Sequence, residues 1–359
     1  MKSRIESLVR PEILALRAYH VPPAAGLIKL DAMENPYGWP ESLLSEWLET
    51  LRGVEPNRYP DPQGEALQAA LRKAMGIPSD MGLLLGNGSD ELIQMLALTV
   101  AQPGRKVLSV EPGFVIYRMV GLFSGMEYVG VPLQAEDFSL DLPAMLEAIE
   151  REQPALVYLA YPNNPTGNRF DVDDMVRIIE AAPGLVIVDE AYAPFTDYSF
   201  MGLLGDWDNL LVMRTVSKMG LAGLRLGYLV GPTPWLAEID KVRLPYNVNV
   251  LTQVSATFAL EHKDVFDAQT QSIRTERGHL FEALGGIEGL QLYPSEANFI
   301  LVRTPAGRAG AIFDGLKERK ILIKNLDGAH PLLADCLRLT VGSPEENAAM
   351  VEALKAVMA

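Results

Sequence analysis

A single cysteine, Cys336, is the only thiol in 359 residues. That excludes an internal disulfide, makes a thiolate metal centre a poor expectation and agrees with a reducing compartment; Cys336 itself reads as a core residue. Histidine is also scarce. His20, His262, His279 and His330 lie far apart, with no carboxylate or cysteine at ligand spacing, so no metal is expected. No apolar run approaches the roughly eighteen residues of a membrane span. The first twenty residues, MKSRIESLVRPEILALRAYH, interrupt their hydrophobic positions with charges and a proline instead of forming a secretory signal core. A cytoplasmic protein is expected. Basic charge is in deficit too: the formal net charge of −15 argues against nucleic acid or an anionic membrane as the main partner, since either demands a basic face. Repeats and low-complexity linkers are missing. What remains, 48% hydrophobic and 21% charged residues, is the composition of a well-packed globule long enough for two domains.

Between residues 82 and 231, short apolar, β-branched runs (GLLLG, RKVLSV, MEYVGVPL, ALVYLAY, GLVIVDEAY, NLLVMRT and RLGYLVG) alternate with helical patterns. That spacing predicts an α/β fold with a mostly parallel sheet covered by helices. Several runs end in Gly, Pro, Asn and Asp, and open α/β sheets collect ligands beyond the carboxyl ends of their strands. After about residue 245 the texture changes to a long helical stretch at 252–284, short strands in NFILVR, ILIKNL and CLRLTVG, and a final helix from SPEEN onward. The expected division is an N-terminal arm with part of the small domain at 1–50, a large ligand-binding domain at 51–245, and a smaller α+β domain at 246–359.

Residues 212–231, VMRTVSKMGLAGLRLGYLVG, set Lys218 and Arg225 among apolar residues and glycines. An ammonium in such a segment either reaches solvent or has a chemical role. Three other stretches bear on the choice. In LLLGNGSDELIQMLALTV a strand leads through Gly88, Ser89 and Asp90 into an amphipathic helix, and free N–H groups at a helix start cradle phosphate; alone, the pattern reads equally as a turn with an N-cap. In YLAYPNNPTGNRF, prolines stiffen a strand-ending loop around Asn164, which alone is an ordinary turn. In GLVIVDEAYAPF, Asp189 ends a buried strand with Tyr192 three residues on; a lone Asp there would be a cap or a core ion pair. One ligand accounts for all of them. Pyridoxal 5′-phosphate needs an amine for its aldehyde (Lys218) and a carboxylate for its pyridinium nitrogen (Asp189). Its phosphate needs helix-start amides and a cation (Gly88, Ser89 and Arg225, with hydroxyls of Thr215 and Ser217), and its phenolic oxygen needs donors (Asn164 and Tyr192). Desolvation beside Arg225 is expected to lower the Lys218 pKa and make the amine a usable nucleophile.

The motifs NPTG, DEAY and SKMGLAGLRLG, in this order, resemble those of the fold type I, pyridoxal-phosphate-dependent aminotransferases, and the match runs from end to end. Within that superfamily ENPYG, NRYPDP, NGSDE, PNNPTG, SEANFILVR and CLRLTVGSPEEN together are similar to the histidinol-phosphate aminotransferase family of histidine biosynthesis. The resemblance implies a large domain with a mostly parallel sheet, a smaller α+β domain and a homodimer with shared active sites. It implies transamination between L-histidinol phosphate and 2-oxoglutarate. By resemblance Lys218 is the Schiff-base lysine and general acid/base, Asp189 the pyridinium partner, and Asn164 and Tyr192 contacts of the phenolic oxygen; Gly88, Ser89, Asp90, Thr215, Ser217 and Arg225 surround the phosphate. Further roles come only from the resemblance. Tyr59 would reach the cofactor phosphate of the other subunit, Phe114 would stack on the pyridine ring, and Arg338 would hold the anionic end of the substrate. Tyr19, Asn35, Asn164 and Lys324 would contact substrate. Phe114 stands where tyrosine is common in the family and gives up a hydroxyl; Lys324 stands where arginine is common and cannot grip a phosphate with two parallel bonds.

Two rival enzyme classes share these features, a threonine-phosphate decarboxylase-like lyase and an aromatic amino acid aminotransferase. A pyridoxal-binding regulator would need a DNA-binding module; no helix-turn-helix pattern precedes the arm, and the acidic charge argues the same way.

Overall fold

The structure, a computed structural model, describes residues 2–16, 18 and 22–359; Tyr19 and His20 lie outside them. Its strands are Ile28–Lys29 (β1), Gly82–Asn87 (β2), Lys106–Glu111 (β3), Glu127–Pro132 (β4), Leu156–Ala160 (β5), Leu185–Asp189 (β6), Leu210–Thr215 (β7), Leu226–Gly231 (β8), Gln291–Leu292 (β9), Phe299–Arg303 (β10), Ile321–Leu322 (β11), Lys324–Asn325 (β12) and Cys336–Thr340 (β13). β2 to β8 form one sheet in the order β2-β8-β7-β6-β5-β3-β4. β8 runs antiparallel to both neighbours and the other pairs are parallel. Each apolar run read between residues 82 and 231 supplies one of these strands.

The alternation of side chains along a strand builds two cores at once. Leu108, Val157, Leu159, Val186, Val188 and Val212 enter the apolar layer on one face, whereas Val107, Leu156, Tyr158, Leu185, Ile187 and Leu211 enter the layer on the other. β5 and β6 are buried at every position, as central strands covered on both faces must be. Crossover helices supply the cover. Val172–Ala181 turns Met175, Ile178 and Ile179 inward, and Asp171 caps its start by accepting from the N–H groups of Asp173 and Asp174.

The second sheet is antiparallel, in the order β12-β13-β10-β9, while β1 pairs with β11 in a separate parallel ribbon. Its core gathers Ile300, Val302, Leu337, Leu339, Ile312 and Leu354, and takes in Leu30 and Met33 from the N-terminal segment and Tyr192 and Phe195 from the segment after β6. Two expectations change. The single helical stretch at 252–284 is two helices, Val250–Glu261 and Lys263–Gly285, broken at His262, whose ring nitrogen lies 2.9 Å from the Phe258 carbonyl. The halves have different partners: the first packs on the helices Glu41–Leu51 and Glu65–Met75, the second on β9, β10 and the last helix, Pro344–Met358. ILIKNL likewise divides, β11 pairing with β1 and β12 with β13. Glu41–Leu51 is a full helix, tied to Val250–Glu261 by the Trp47 indole donating to Ser255 at 2.8 Å.

Candidate active site

The carboxyl ends of β3, β5, β6 and β7 meet the start of β8, which is reversed, and the loops there enclose a cavity of about 410 Å³. That lies within the roughly 300–1,000 Å³ of small-molecule sites. Ser89, Asp90, Phe114, Asn164, Asp189, Tyr192, Thr215, Ser217, Lys218 and Arg225 all line it, though they come from five separate stretches of chain.

Lys218 follows β7 in the short 3-10 turn Ser217–Met219. Its amine donates to the Ala32 carbonyl at 3.1 Å and stands 6.0 Å from the Tyr192 ring centroid. Burial, and next the Arg338 guanidinium, depress its pKa to about 8. The sequence singled out Arg225 as the cationic neighbour; its effect is smaller than that of Arg338, because Arg225 is half exposed and paired with Asp90 at 3.1 Å.

Asp189 ends β6 almost wholly buried. The Ala191 N–H donates to Oδ1 at 3.1 Å and the Tyr117 hydroxyl to Oδ2 at 2.7 Å. Burial nevertheless raises its pKa to about 6, against the two hydrogen bonds that lower it. Sequence reasoning missed Tyr117. The available signal was helical spacing, since Tyr117 lies three residues after Phe114 and a helix from Val115 brings both toward one side. Phe114 meets the Tyr117 ring edge-on, with centroids 5.4 Å apart.

Below the other end of the cavity, Gly88 precedes the helix Ser89–Val100 with φ of +78°, a conformation that favours glycine. A Cβ there would come 2.5 Å from Arg225 Nη2, and one at Gly227 would come 2.5 Å from the Ser89 nitrogen. Both glycines thus keep a cradle open around the helix-start amides. Thr215 donates to the Leu226 carbonyl at 2.9 Å and lies 2.9 Å from the Ser217 hydroxyl, which sets both hydroxyls at the same rim.

Asn164 accepts from Arg338 Nη1 at 2.6 Å, and Arg338 Nη2 donates to the Asp31 carbonyl at 2.9 Å. The guanidinium therefore ties the β5 loop to the N-terminal segment from its own place on β13. The neighbouring Asn163, fully buried, donates to the Pro112 carbonyl and to Thr166, which holds the loop against the end of β3.

Other candidates lie elsewhere. Asn35 does not line the cavity; its amide donates to the Met219 carbonyl at 3.2 Å and to Gln269 at 3.0 Å, bracing the Lys218 turn from outside. Lys324 is also outside the lining, directly across from Arg338 in the β12–β13 register. Tyr59 is 80% exposed and stacks on Tyr246 with centroids 4.4 Å apart, away from the cavity of its own chain. Tyr19 lies outside the described residues. Among the described residues no group of three or more His, Cys, Asp or Glu side chains could hold a metal ion.

The donor set fits pyridoxal phosphate: a desolvated amine, a buried carboxylate in the same cavity, and a glycine-lined cradle of amides, hydroxyls and a guanidinium for a phosphate. Comparison with known proteins agrees. The family model described as aminotransferase class I and II matches residues 25–354. The chain is 58% identical to histidinol-phosphate aminotransferase 2 of Nitrosococcus oceani, over 99% of this chain and 98% of that one. It is 58% identical to the histidinol-phosphate aminotransferase of Chromobacterium violaceum, over 99% of each. Among solved structures, the histidinol-phosphate aminotransferase of Sinorhizobium meliloti in complex with pyridoxal-5′-phosphate is 28% identical and superposes with a TM-score of 0.87 over 98% of both chains. The end-to-end match, joined to a cavity that Lys218 and Asp189 both line, places this chain in the class I and II aminotransferases, among the histidinol-phosphate aminotransferases.

Proposed function

We propose that the protein transfers the amino group of L-histidinol phosphate to 2-oxoglutarate, giving imidazole acetol phosphate and L-glutamate, a step of histidine biosynthesis. The observation that carries this reading is the pairing, in one cavity, of a lysine amine held near neutrality with a buried carboxylate. Bound there, pyridoxal phosphate supplies an aldehyde and an electron-withdrawing ring. The protein's residues do the rest. With the cofactor bound, Lys218 Nζ, whose pKa in the free protein is about 8, would accept the proton from the substrate carbon that bears the amine and would deliver it to the cofactor carbon on the other side of that nitrogen. Asp189 would hold a proton on the ring nitrogen, Asn164 and Tyr192 would orient the ring through its phenolic oxygen, and Phe114 would pack against the ring. The Ser89 amide, Thr215, Ser217 and Arg225 would hold the cofactor phosphate. Arg338 serves two anions in turn, the α-carboxylate of glutamate and the phosphate of histidinol phosphate, and its planar fork suits both.

A homodimer belongs to the same reading. The Tyr59–Tyr246 stack and the exposed Leu244 and Leu251 supply apolar surface. In the dimer Tyr59 would reach the phosphate site of the second subunit, and Tyr19 its substrate. The proposed location is the cytoplasm; among the described residues no helix is long and apolar enough to cross a membrane.

The test is a half-reaction screen on the purified enzyme loaded with pyridoxal phosphate. Histidinol phosphate, glutamate, phenylalanine and threonine phosphate are added singly while the visible absorbance of the bound cofactor is followed. Loss of that absorbance with histidinol phosphate and with glutamate is expected. Carbon dioxide release from threonine phosphate without amino transfer, or no response to histidinol phosphate, would overturn the assignment.

A further inference from the structure

Tyr117 is fully buried, and its hydroxyl donates at 2.7 Å to Oδ2 of Asp189, the cavity-lining carboxylate at the end of β6. Its ring cannot drift from that contact. Tyr158, on the central strand β5, lies parallel to it with centroids 4.6 Å apart and planes 6° apart, and Phe114 closes the third side edge-on. The Ala191 N–H occupies the other oxygen. One lone-pair direction on each oxygen is thereby engaged, which fixes the carboxylate plane and leaves the cavity-facing directions open.

We infer that Tyr117 is a positioning residue for the reaction, which fixes the plane of Asp189 and keeps its negative charge available to a protonated ring nitrogen. The inference rests on the functional reading above and deepens it. A carboxylate buried this thoroughly favours its neutral form, and a neutral acid gives a ring nitrogen no charge to pair with. The groups around Asp189 act in both directions. Asp90, from the helix Ser89–Val100, and Glu190, next in the chain, push its pKa up, while Tyr117 and the Ala191 N–H pull it down. Tyr158, Tyr192, Lys218 and Arg225 complete the surroundings. Of the side chains that pull the pKa down, Tyr117 has the largest effect and donates directly to the charge. Without its hydroxyl the carboxyl would take up a proton at higher pH, and the proton shared with the ring nitrogen would move toward the acid.

The test uses Tyr117→Phe, which keeps the ring and its stack, and Tyr158→Phe, which removes a hydroxyl of the same stack that lies 3.4 Å from the Ile93 carbonyl and does not touch Asp189. The full-length protein, freed of cofactor, is titrated with pyridoxamine 5′-phosphate, which has no aldehyde for Lys218 to capture, across pH values on either side of about 6. A second titration uses the analogue with carbon in place of the ring nitrogen. Tyr117→Phe is expected to weaken pyridoxamine phosphate about tenfold near neutral pH. It should also shift the acid-side fall in affinity to higher pH, while leaving the carbon analogue unaffected. Tyr158→Phe should change neither. In turnover, Tyr117→Phe should lower kcat with little change in KM. An unshifted pH profile, equal weakening of both probes, or the same shift in Tyr158→Phe would overturn the inference and leave the functional reading standing. If the unaltered protein binds neither probe, the functional reading fails first, and the inference falls with it.

Discussion

At the residue scale the site depends on two groups whose charges are unwelcome where they sit. Lys218 is held near 8 chiefly by burial, so its free-base fraction grows as pH rises through about 8. The rate at which added pyridoxal phosphate develops its protein-bound visible absorbance should rise over the same range, and a rate that is flat there would contradict the assignment. Lys218→Ala should fold normally yet lose both turnover and that absorbance. Asp189 makes the opposite prediction. Its carboxyl is raised from 3.8 to about 6 in the cofactor-free protein. The sign follows: the native state holds its proton more tightly than the unfolded chain, so this group's contribution is fully present below pH of about 4 and is lost as pH rises through about 6. The loss amounts to roughly 3 kcal/mol. Asp189→Asn, neutral throughout, should lack that decline, so urea midpoints of the two cofactor-free proteins should diverge between those pH values; parallel curves would rule the burial argument out. The same variant should keep its cofactor and lose most activity, because an amide cannot hold the ring proton.

At the element scale, β6 and β7 bring Asp189 and Lys218 to one cavity, and a buried ion pair ties the two strands together one residue after Asp189 and four before Lys218. Glu190, wholly buried, faces Arg214 Nη2 at 2.7 Å and also accepts from the Ser199 hydroxyl and the Phe200 N–H. Replacing Arg214 by Met leaves that carboxylate without its cation, which should cost about 3–5 kcal/mol of stability. Urea denaturation measures it; a loss below about 1 kcal/mol would show that the strand pair is held by its hydrogen bonds and apolar layers alone. β12 and β13 raise a question of specificity. Lys324 stands opposite Arg338 in register, but only Arg338 bonds to Asn164. Arg338→Ala should damage the half-reactions of glutamate and histidinol phosphate alike. Lys324→Ala should mainly raise the KM for histidinol phosphate, by roughly ten- to a hundredfold if it contacts the phosphate. Equal loss for both substrates in Lys324→Ala, or no loss, would place the phosphate elsewhere.

At the scale of the whole molecule, the N-terminal segment belongs to every part. β1 pairs with β11, Leu30 and Met33 enter the core of the second sheet, Ala32 receives the Lys218 amine, and Glu41–Leu51 packs against Val250–Glu261. Tyr59 sits on the outside of its own chain, which suits a role in a second copy. Mixing inactive Tyr59→Ala and Lys218→Ala proteins should restore part of the activity after subunit exchange, since one site of the mixed dimer receives both intact residues. Exchange shown by mass, with no activity regained, would count against shared sites.

Local chemistry in the sequence determined the strands and the ends they deposit. Apolar runs bury on both faces, the polar residues that stop them emerge at one sheet edge, and Ser89, Asn164, Asp189, Lys218 and Arg225 were therefore legible as a set before any contact was known. Helix boundaries inside 252–284 were not legible, because propensity alone does not say that the two halves meet different partners. Nor were the contacts across the chain. Tyr117 reaches Asp189 over 72 residues and Arg338 reaches Asn164 over 174. Only tertiary packing decided those pairings, and with them the pKa values, the turn that Asn35 braces and the size of the cavity, since desolvation and hydrogen bonding depend on what the rest of the chain brings alongside.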